Sequence, residues 1–171
     1  MRLSAEILSQ AEQRPNPLGE RELVLRGLAI PAIEHLAVTR DAFDTIDFSN
    51  NRLLRLENFP RLLRLCHLMC SGNLIESIDA ANLHKNIPNL TSLTLSYNRI
   101  SALHEVVNLA KACSKLEFLS LTGNPVTSKL QYSCIHCFFF CVGVGAVFRS
   151  CCWFVGWLAK EDHLVPASKK G

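Results

Sequence analysis

The chain has 171 residues, of which 49% are hydrophobic and 19% charged, and its formal net charge is +3 at pH 7. This length and apolar fraction are typical of one globular domain with a sizeable core. Residues 1–132 hold 14 lysines and arginines against 13 aspartates and glutamates, which argues against the strongly basic surface of a protein that binds RNA unaided.

The chain begins with the signals of a short helix. Ser4 is placed to cap its first turn, and Glu6 favours the positive end of the helix dipole. Pro15 and Pro17 are predicted to end the helix. We therefore predict an N-terminal helical cap over residues 1–20 that covers the open end of the next element. The apolar stripe of this helix consists of Leu3, Ile7, Leu8 and Ala11.

Four later segments repeat one pattern, in which apolar residues recur at fixed spacing around a single asparagine. The pattern is apolar-x-x-apolar-x-apolar-x-x-Asn-x-apolar, and successive asparagines lie 22, 25 and 26 positions apart. This template and this period are the signature of leucine-rich repeats. The four segments are 43–53, 65–75, 90–100 and 116–126, and their asparagines are Asn51, Asn73, Asn98 and Asn124.

The residue types follow from the geometry of such a repeat. Two apolar residues at i and i+2, such as Leu93 and Leu95, indicate a short strand with one face in the core. After the strand the backbone turns, and a buried asparagine supplies donors and acceptors to that turn. Stacked repeats are therefore predicted to form an asparagine ladder. An amphipathic helix is excluded because its apolar spacing would be three or four.

A fifth, degenerate repeat is predicted over 22–30, where Leu28 takes the asparagine position, as terminal repeats are often atypical. Segments 80–85 and 104–115, between strands, are predicted to be short helices. The fold class is therefore α/β: a right-handed leucine-rich-repeat solenoid with a curved parallel sheet and about five repeats, over residues 21–132.

The chain changes character at about Tyr132. Residues 133–171 hold five of the eight cysteines, both tryptophans and five of the nine phenylalanines. Three interpretations stay open: a transmembrane helix over 135–158, a metal site, or a divergent tail encoded where a reading frame runs past its splice junction. The abrupt change in composition favours the third. The cysteines of the metal-site interpretation are Cys134, Cys137, Cys141, Cys151 and Cys152.

The first 132 residues resemble the A-prime protein family of the U2 small nuclear ribonucleoprotein. The most specific matches follow the N-terminal cap: Arg-Glu-Leu-Val-Leu-Arg-Gly at 21–27 and Ile-Pro-Ala-Ile-Glu at 30–34. The repeat template alone would not separate this family from other short leucine-rich proteins. Further matching segments are 3–8, 43–51, 59–62 and 121–127.

The resemblance implies a non-enzymatic splicing factor of the nucleus. In that family the concave face of the repeats grips a helix of an RNA-recognition-motif partner of the B-double-prime type, and the pair binds a stem-loop of U2 RNA. The family continues with a tyrosine-rich helical segment that caps the last repeat. This chain has the cysteine- and phenylalanine-rich tail there, so the cap of its last repeat is expected to differ.

Strand alternation places a second set of side chains on the concave face. Val24, Met69 and Phe118 are apolar where water is expected, and small Ser and Thr neighbours leave room for an inserted helix. Tyr97 and Arg99, near the edge of the sheet, are predicted to lie close to RNA. The predicted partner-binding residues are Val24, Arg26, Thr45, Asp47, His67, Met69, Ser92, Thr94, Phe118 and Ser120.

The sequence predicts no enzyme, no cofactor and no small-molecule substrate. It contains no glycine-rich phosphate loop and none of the common hydrolase motifs, and its histidines lack ligand spacing. Cys66, Cys70 and Cys113 show no disulfide framework, which favours a reducing compartment. The alternative function is a generic leucine-rich-repeat interaction scaffold that is anchored to a membrane through the apolar tail. Cell fractionation distinguishes the two.

Overall fold

The computed structural model of the protein describes residues 2–129, so the tail over 133–171 and its three interpretations lie outside the described residues. A 3-10 turn over Leu36–Thr39 lies between the second and third strands. In chain order the elements are α1 (Ala5–Gln10), β1 (Glu12–Pro15), β2 (Arg21–Val24), β3 (Thr45–Asp47), β4 (Arg55–Leu56), β5 (His67–Met69), β6 (Ser77–Ile78), α2 (Ala80–Asn86), β7 (Ser92–Thr94), α3 (Leu103–Ala112), β8 (Phe118–Ser120) and α4 (Pro125–Lys129).

The main sheet has six strands in the order β1-β2-β3-β5-β7-β8. The last five pair in parallel, each strand one repeat beyond its neighbour, whereas β1 and β2 are antiparallel. Parallel neighbours need a crossover connection, and each repeat supplies one. Five parallel strands correspond to the five predicted repeats, including the degenerate first one. The predicted α/β repeat fold is confirmed.

The N-terminal segment differs in part from its prediction. The Ser4 hydroxyl accepts a hydrogen bond from the Ile7 amide at 3.3 Å, so the predicted cap of α1 is confirmed. The helix nevertheless ends at Gln10, before either proline is reached. The residues that follow form β1, which extends the sheet along β2. The prediction that prolines end the helix was wrong, and the cap consists of a helix and a strand.

The inward side chains of the five parallel strands, and of the residues that follow each strand, stack into continuous buried rows. Members of the first two rows expose 2% of their surface or less. A third row follows the turn and exposes 1% or less. The rows are Leu23, Ile46, Leu68, Leu93 and Leu119; then Leu25, Phe48, Cys70, Leu95 and Leu121; then Ile30, Leu53, Ile75, Ile100 and Val126.

The predicted asparagine ladder is confirmed. The Asn98 side-chain amide donates to the Cys70 and Leu95 carbonyls, both at 2.9 Å, and its oxygen accepts from the Ile75 amide at 3.0 Å. Each ladder asparagine thus joins its own strand to the preceding repeat. Because these backbone groups are buried, leaving them without partners would cost free energy. The same pattern holds at Asn51, Asn73 and Asn124.

The secondary structure of the crossover connections changes along the chain. The predicted helices of the third and fourth repeats are confirmed as α2 and α3. The first crossover carries the 3-10 turn, and β4 of the second pairs in parallel with β6 of the third. Within residues 2–129, no helix is both long and apolar enough to span a membrane.

Candidate protein-binding face

The outward side chains of β2, β3, β5, β7 and β8 form one surface, which we name the strand face. The pairing registers align these side chains in two rows across the strands. All predicted partner-binding residues lie in these rows except Arg26, which follows β2. The rows are Glu22, Thr45, His67, Ser92 and Phe118, and then Val24, Asp47, Met69, Thr94 and Ser120.

The N-terminal half of the strand face is held by ion pairs. The Arg26 guanidinium lies 3.0 Å from the Asp47 carboxylate, whose side chain is only 2% exposed whereas that of Arg26 is 56% exposed. The second Asp47 oxygen accepts a hydrogen bond from the Ser49 amide at 2.8 Å. A buried carboxylate needs such partners. Asp47 therefore positions Arg26, which projects its charge from the face.

A second polar cluster centres on Glu20. Its carboxylate lies 3.3 Å from Nε2 of His67 and accepts hydrogen bonds from Asn16 at 2.7 Å and from Thr45 at 3.4 Å. His67 and Glu20 are both partly exposed. The cluster links the loop after β1 to the strands β3 and β5, and it orients the His67 ring on the face.

The sequence interpretation missed Arg14, which lies on β1 beside the strand face. Its Nε donates to the Glu22 carboxylate at 3.1 Å, and this hydrogen bond and charge raise the pKa of Arg14. Arg14 reaches Glu22 because β1 and β2 are antiparallel with these two residues in register. The signal was present: Asn-Pro-Leu-Gly at 16–19 is a turn sequence between two short segments.

The C-terminal half of the strand face is neutral. Ser92 and Thr94 on β7 are half-buried, and the hydroxyls of Ser96 and Ser120 lie 2.7 Å apart. Phe118 on β8 is 45% exposed, a large apolar side chain open to solvent. Small hydroxyl side chains therefore surround one exposed aromatic ring on an uncharged surface, and an exposed ring of this kind is a candidate contact for a partner.

The outward residues of β3 are less accessible than the alternation predicts. Thr45 and Asp47 expose 3% and 1% of their surface. The expectation of an open outward position is wrong there, because the Glu20 cluster covers Thr45 and Arg26 pairs with Asp47. Val24, His67 and Met69 are half-buried. In this half of the face, Arg26 is the predicted partner-binding residue with the most exposed side chain.

Tyr97 and Arg99 lie where the chain turns after β7, at the edge of the strand face. Tyr97 is 67% exposed, and its amide donates to the Thr122 carbonyl of the next repeat at 2.7 Å. The Arg99 guanidinium is 3.8 Å from the Glu76 carboxylate, and both side chains are largely exposed. Their position at the edge matches the prediction. Contact with RNA stays a prediction.

The metal-ligating side chains and the thiols of the described residues are the candidates for a chemical site. Within residues 2–129, no group of three or more histidines, cysteines and carboxylates is placed to hold a metal ion. Burial raises the pKa of the Cys113 thiol to about 11 and raises that of Cys70 further. Both thiols are therefore protonated near neutral pH, and Cys70 packs as a small apolar side chain.

The sequence model of the leucine-rich-repeat family matches residues 1–139. The chain belongs to the leucine-rich-repeat family. Within this family, the U2 small nuclear ribonucleoprotein A' of Mycosarcoma maydis is 48% identical over 132 residues, which are 77% of this chain and 53% of that protein. That of Schizosaccharomyces pombe is 45% identical over the same length, 77% of this chain and 54% of that protein.

A solved structure shows the same likeness. In the crystal structure of the Drosophila melanogaster SNF/U2A' complex, a similar chain has a TM-score of 0.75 and 41% sequence identity. The match covers 82% of this chain and 79% of that chain. The resemblance to the A-prime proteins is confirmed. The chain spans about half the length of the curated relatives it matches.

Proposed function

We propose that this protein is a non-enzymatic scaffold of the spliceosomal U2 particle in the nucleus, and that its strand face binds an RNA-recognition-motif partner. The observation that carries the proposal is the strand face, where an exposed Phe118 and small hydroxyl side chains adjoin oriented charges. The similar solved structure is a complex of U2A' with SNF, which supports a protein partner on this fold.

The two halves of the strand face have different roles in this proposal. On β7 and β8 the short side chains of Ser92, Thr94 and Ser120 leave room for a partner helix, and Phe118 supplies an aromatic anchor. On the N-terminal half, Arg26 and His67 are already oriented by carboxylates. Polar side chains that are already oriented set the register of a partner and cost little ordering entropy on binding. Val24 and Met69 add apolar contacts in the same half of the strand face.

RNA is bound through the partner in this proposal. Residues 1–132 are nearly neutral in charge, and affinity for RNA depends mainly on the number of phosphates that are neutralised. The isolated protein should therefore bind a U2 stem-loop RNA weakly. Tyr97 and Arg99 add local contacts once the partner holds the RNA. Tight binding without the partner, with a steep dependence on salt, would contradict this arrangement.

A carboxylate introduced on the strand face tests the proposal. Phe118→Glu and Val24→Glu each place a carboxylate where a partner helix would pack, so each should abolish co-purification with a B-double-prime-type partner. Both side chains are at least partly exposed, and the circular dichroism spectrum should not change.

Leu54→Glu is the matched control, because Leu54 is 50% exposed but lies outside the strands of the main sheet. It should retain the partner. If the two strand-face variants bind the partner as well as this control does, the interface lies elsewhere.

A further inference from the structure

Tyr97 has a backbone conformation that the equivalent position in the other repeats gives to glycine or asparagine. Its φ angle is 56°, in the left-handed region. A bulky aromatic residue is strained in that region, whereas glycine and asparagine are not. The equivalent residues, each directly before the ladder position, are Gly27, Asn50, Gly72 and Gly123, with φ angles of 73°, 58°, 68° and 75°.

The fold does not need the aromatic ring at this position. One side of the Tyr97 ring lies against Gly123, where an added Cβ would come within 2.6 Å of Cδ1. Asn50 makes the equivalent contact with Gly72 through its side-chain oxygen. An asparagine is therefore sufficient to cover the next repeat. The tyrosine extends further, and it exposes 67% of its surface at the edge of the strand face.

Two arginines flank this edge of the solenoid. Arg99 is two residues from Tyr97, and Arg52 takes the equivalent position two repeats earlier; both are exposed. Paired strands lie about 4.8 Å apart, which puts the two arginine backbones roughly 10 Å apart. Glu76 lies 3.8 Å from the Arg99 guanidinium, with both groups largely in solvent. Such a pair is weakly held, so Arg99 remains available to another anion.

We propose that Tyr97 is a stacking platform for an unpaired RNA base, and that Arg99 and Arg52 contact the phosphates beside it. Exposed aromatic rings combined with cationic side chains are the usual means of holding single-stranded nucleic acid. A residue that is kept in a strained backbone conformation, with its side chain turned toward solvent, indicates a binding role. This inference rests on the proposed function, which brings RNA to the protein, and names the residue that would hold a base.

The test uses the full chain bound to its partner, with a labelled U2 stem-loop RNA as the probe. Tyr97→Asn should lower the RNA affinity of the complex at least about fivefold, the lower limit for the loss of one stacked base. Tyr97→Phe should retain the affinity, because the ring is kept. Tyr97→Asn should not lower the melting temperature, because Asn50 already occupies the equivalent site.

Arg99→Gln tests the proposed phosphate contact separately. It should reduce the slope of log affinity against log salt concentration by about one, as expected for one lost phosphate contact.

Two results with the complex would overturn the inference. In the first, the Tyr97→Asn complex binds RNA as tightly as the parent complex. In the second, Tyr97→Asn loses the partner, which would make Tyr97 a protein contact.

If the parent chain itself fails to bind the partner, the proposed function fails, and the stacking role is tested on the chain alone. The same variants are then compared for binding to a single-stranded oligouridylate. Equal affinities of the parent chain and Tyr97→Asn would overturn the stacking role.

Discussion

The two sides of the main sheet follow different rules. Inward positions repeat: every repeat places two apolar side chains in the core, one on its strand and one directly after it, and four repeats carry the same buried asparagine. Outward positions change from strand to strand, from the ion pairs of β2 and β3 to the hydroxyls and exposed Phe118 of β7 and β8. The inward side chains have the same core environment in each repeat, whereas the outward side chains have different neighbours from strand to strand.

This difference places residues of the core and residues of the outward side next to each other in the chain. Leu95 is fully buried, and Ser96 is its immediate neighbour on the opposite side of the backbone. A substitution at one should change the free energy of unfolding, and a substitution at the other should change binding. The ion pairs of the N-terminal half are the exception, because Asp47 is an outward residue that is also buried.

The largest effect is expected from Leu95→Ala, which should lower the free energy of unfolding by about 2–5 kcal/mol, the usual range for a core leucine. Ser96→Ala is the matched control and should cost about 0.5–1.5 kcal/mol, since it removes one hydrogen bond to Ser120. Urea denaturation measures both. Equal losses would show that the assignment of Leu95 to the inward side and Ser96 to the outward side is wrong.

A smaller effect is expected where the chain leaves the strands. Gly27→Ala should cost about 1–2 kcal/mol, because alanine is strained at its left-handed φ of 73°. Gly72→Ala carries the same strain, and its added methyl group would also meet the Asn50 side chain, whereas nothing lies within 4 Å at Gly27. The melting temperature of Gly72→Ala should therefore be lower than that of Gly27→Ala. The reverse order would contradict the contact between neighbouring repeats.

The smallest effect concerns acid stability at the start of the second repeat. Partial burial opposes ionisation of Asp44, but hydrogen bonds from the Arg21 amide and the Arg64 side chain outweigh it and lower the pKa of Asp44 below its ordinary value. The folded state therefore binds this proton less readily than the unfolded chain does. The resulting stability is present above the unfolded pKa and is lost as the pH falls through the lower, folded one.

Asp44→Asn should remove this pH dependence and cost up to about 1 kcal/mol near neutral pH, since Arg64 is half-exposed. Unfolding curves at pH 3 and pH 6 measure it. A difference between the parent chain and Asp44→Asn that is the same at both pH values would show that the ionised Asp44 carboxylate contributes nothing.

Much of the fold was predictable because the repeat is local and periodic. The spacing of Leu93, Leu95 and Asn98 specified a strand, its inner face and the turn after it, and the ladder followed. Helices α2 and α3 were predicted in the connections between strands. The strand β1 was missed because its sequence, Glu-Gln-Arg-Pro, has no apolar alternation. It forms because β2 offers it an unpaired edge.

The strand face was predictable only as a set of positions. The register of the strands shows which side chains point outward, and it places all of the predicted partner-binding residues among them except Arg26, which follows β2. Whether each one is open to solvent depended on residues distant in sequence. Asp47 is covered because Arg26, 21 positions earlier, pairs with it, and Thr45 is covered by Glu20, 25 positions earlier.

The sequence by itself determined the repeat number, the inward rows and the ladder, because these depend on spacings within one repeat and the same spacing recurs. Only the tertiary structure decided which outward side chains are available to a partner and that Tyr97 extends over Gly123. These features depend on contacts between repeats, where side-chain length and charge at aligned positions set burial, and no single repeat contains that information.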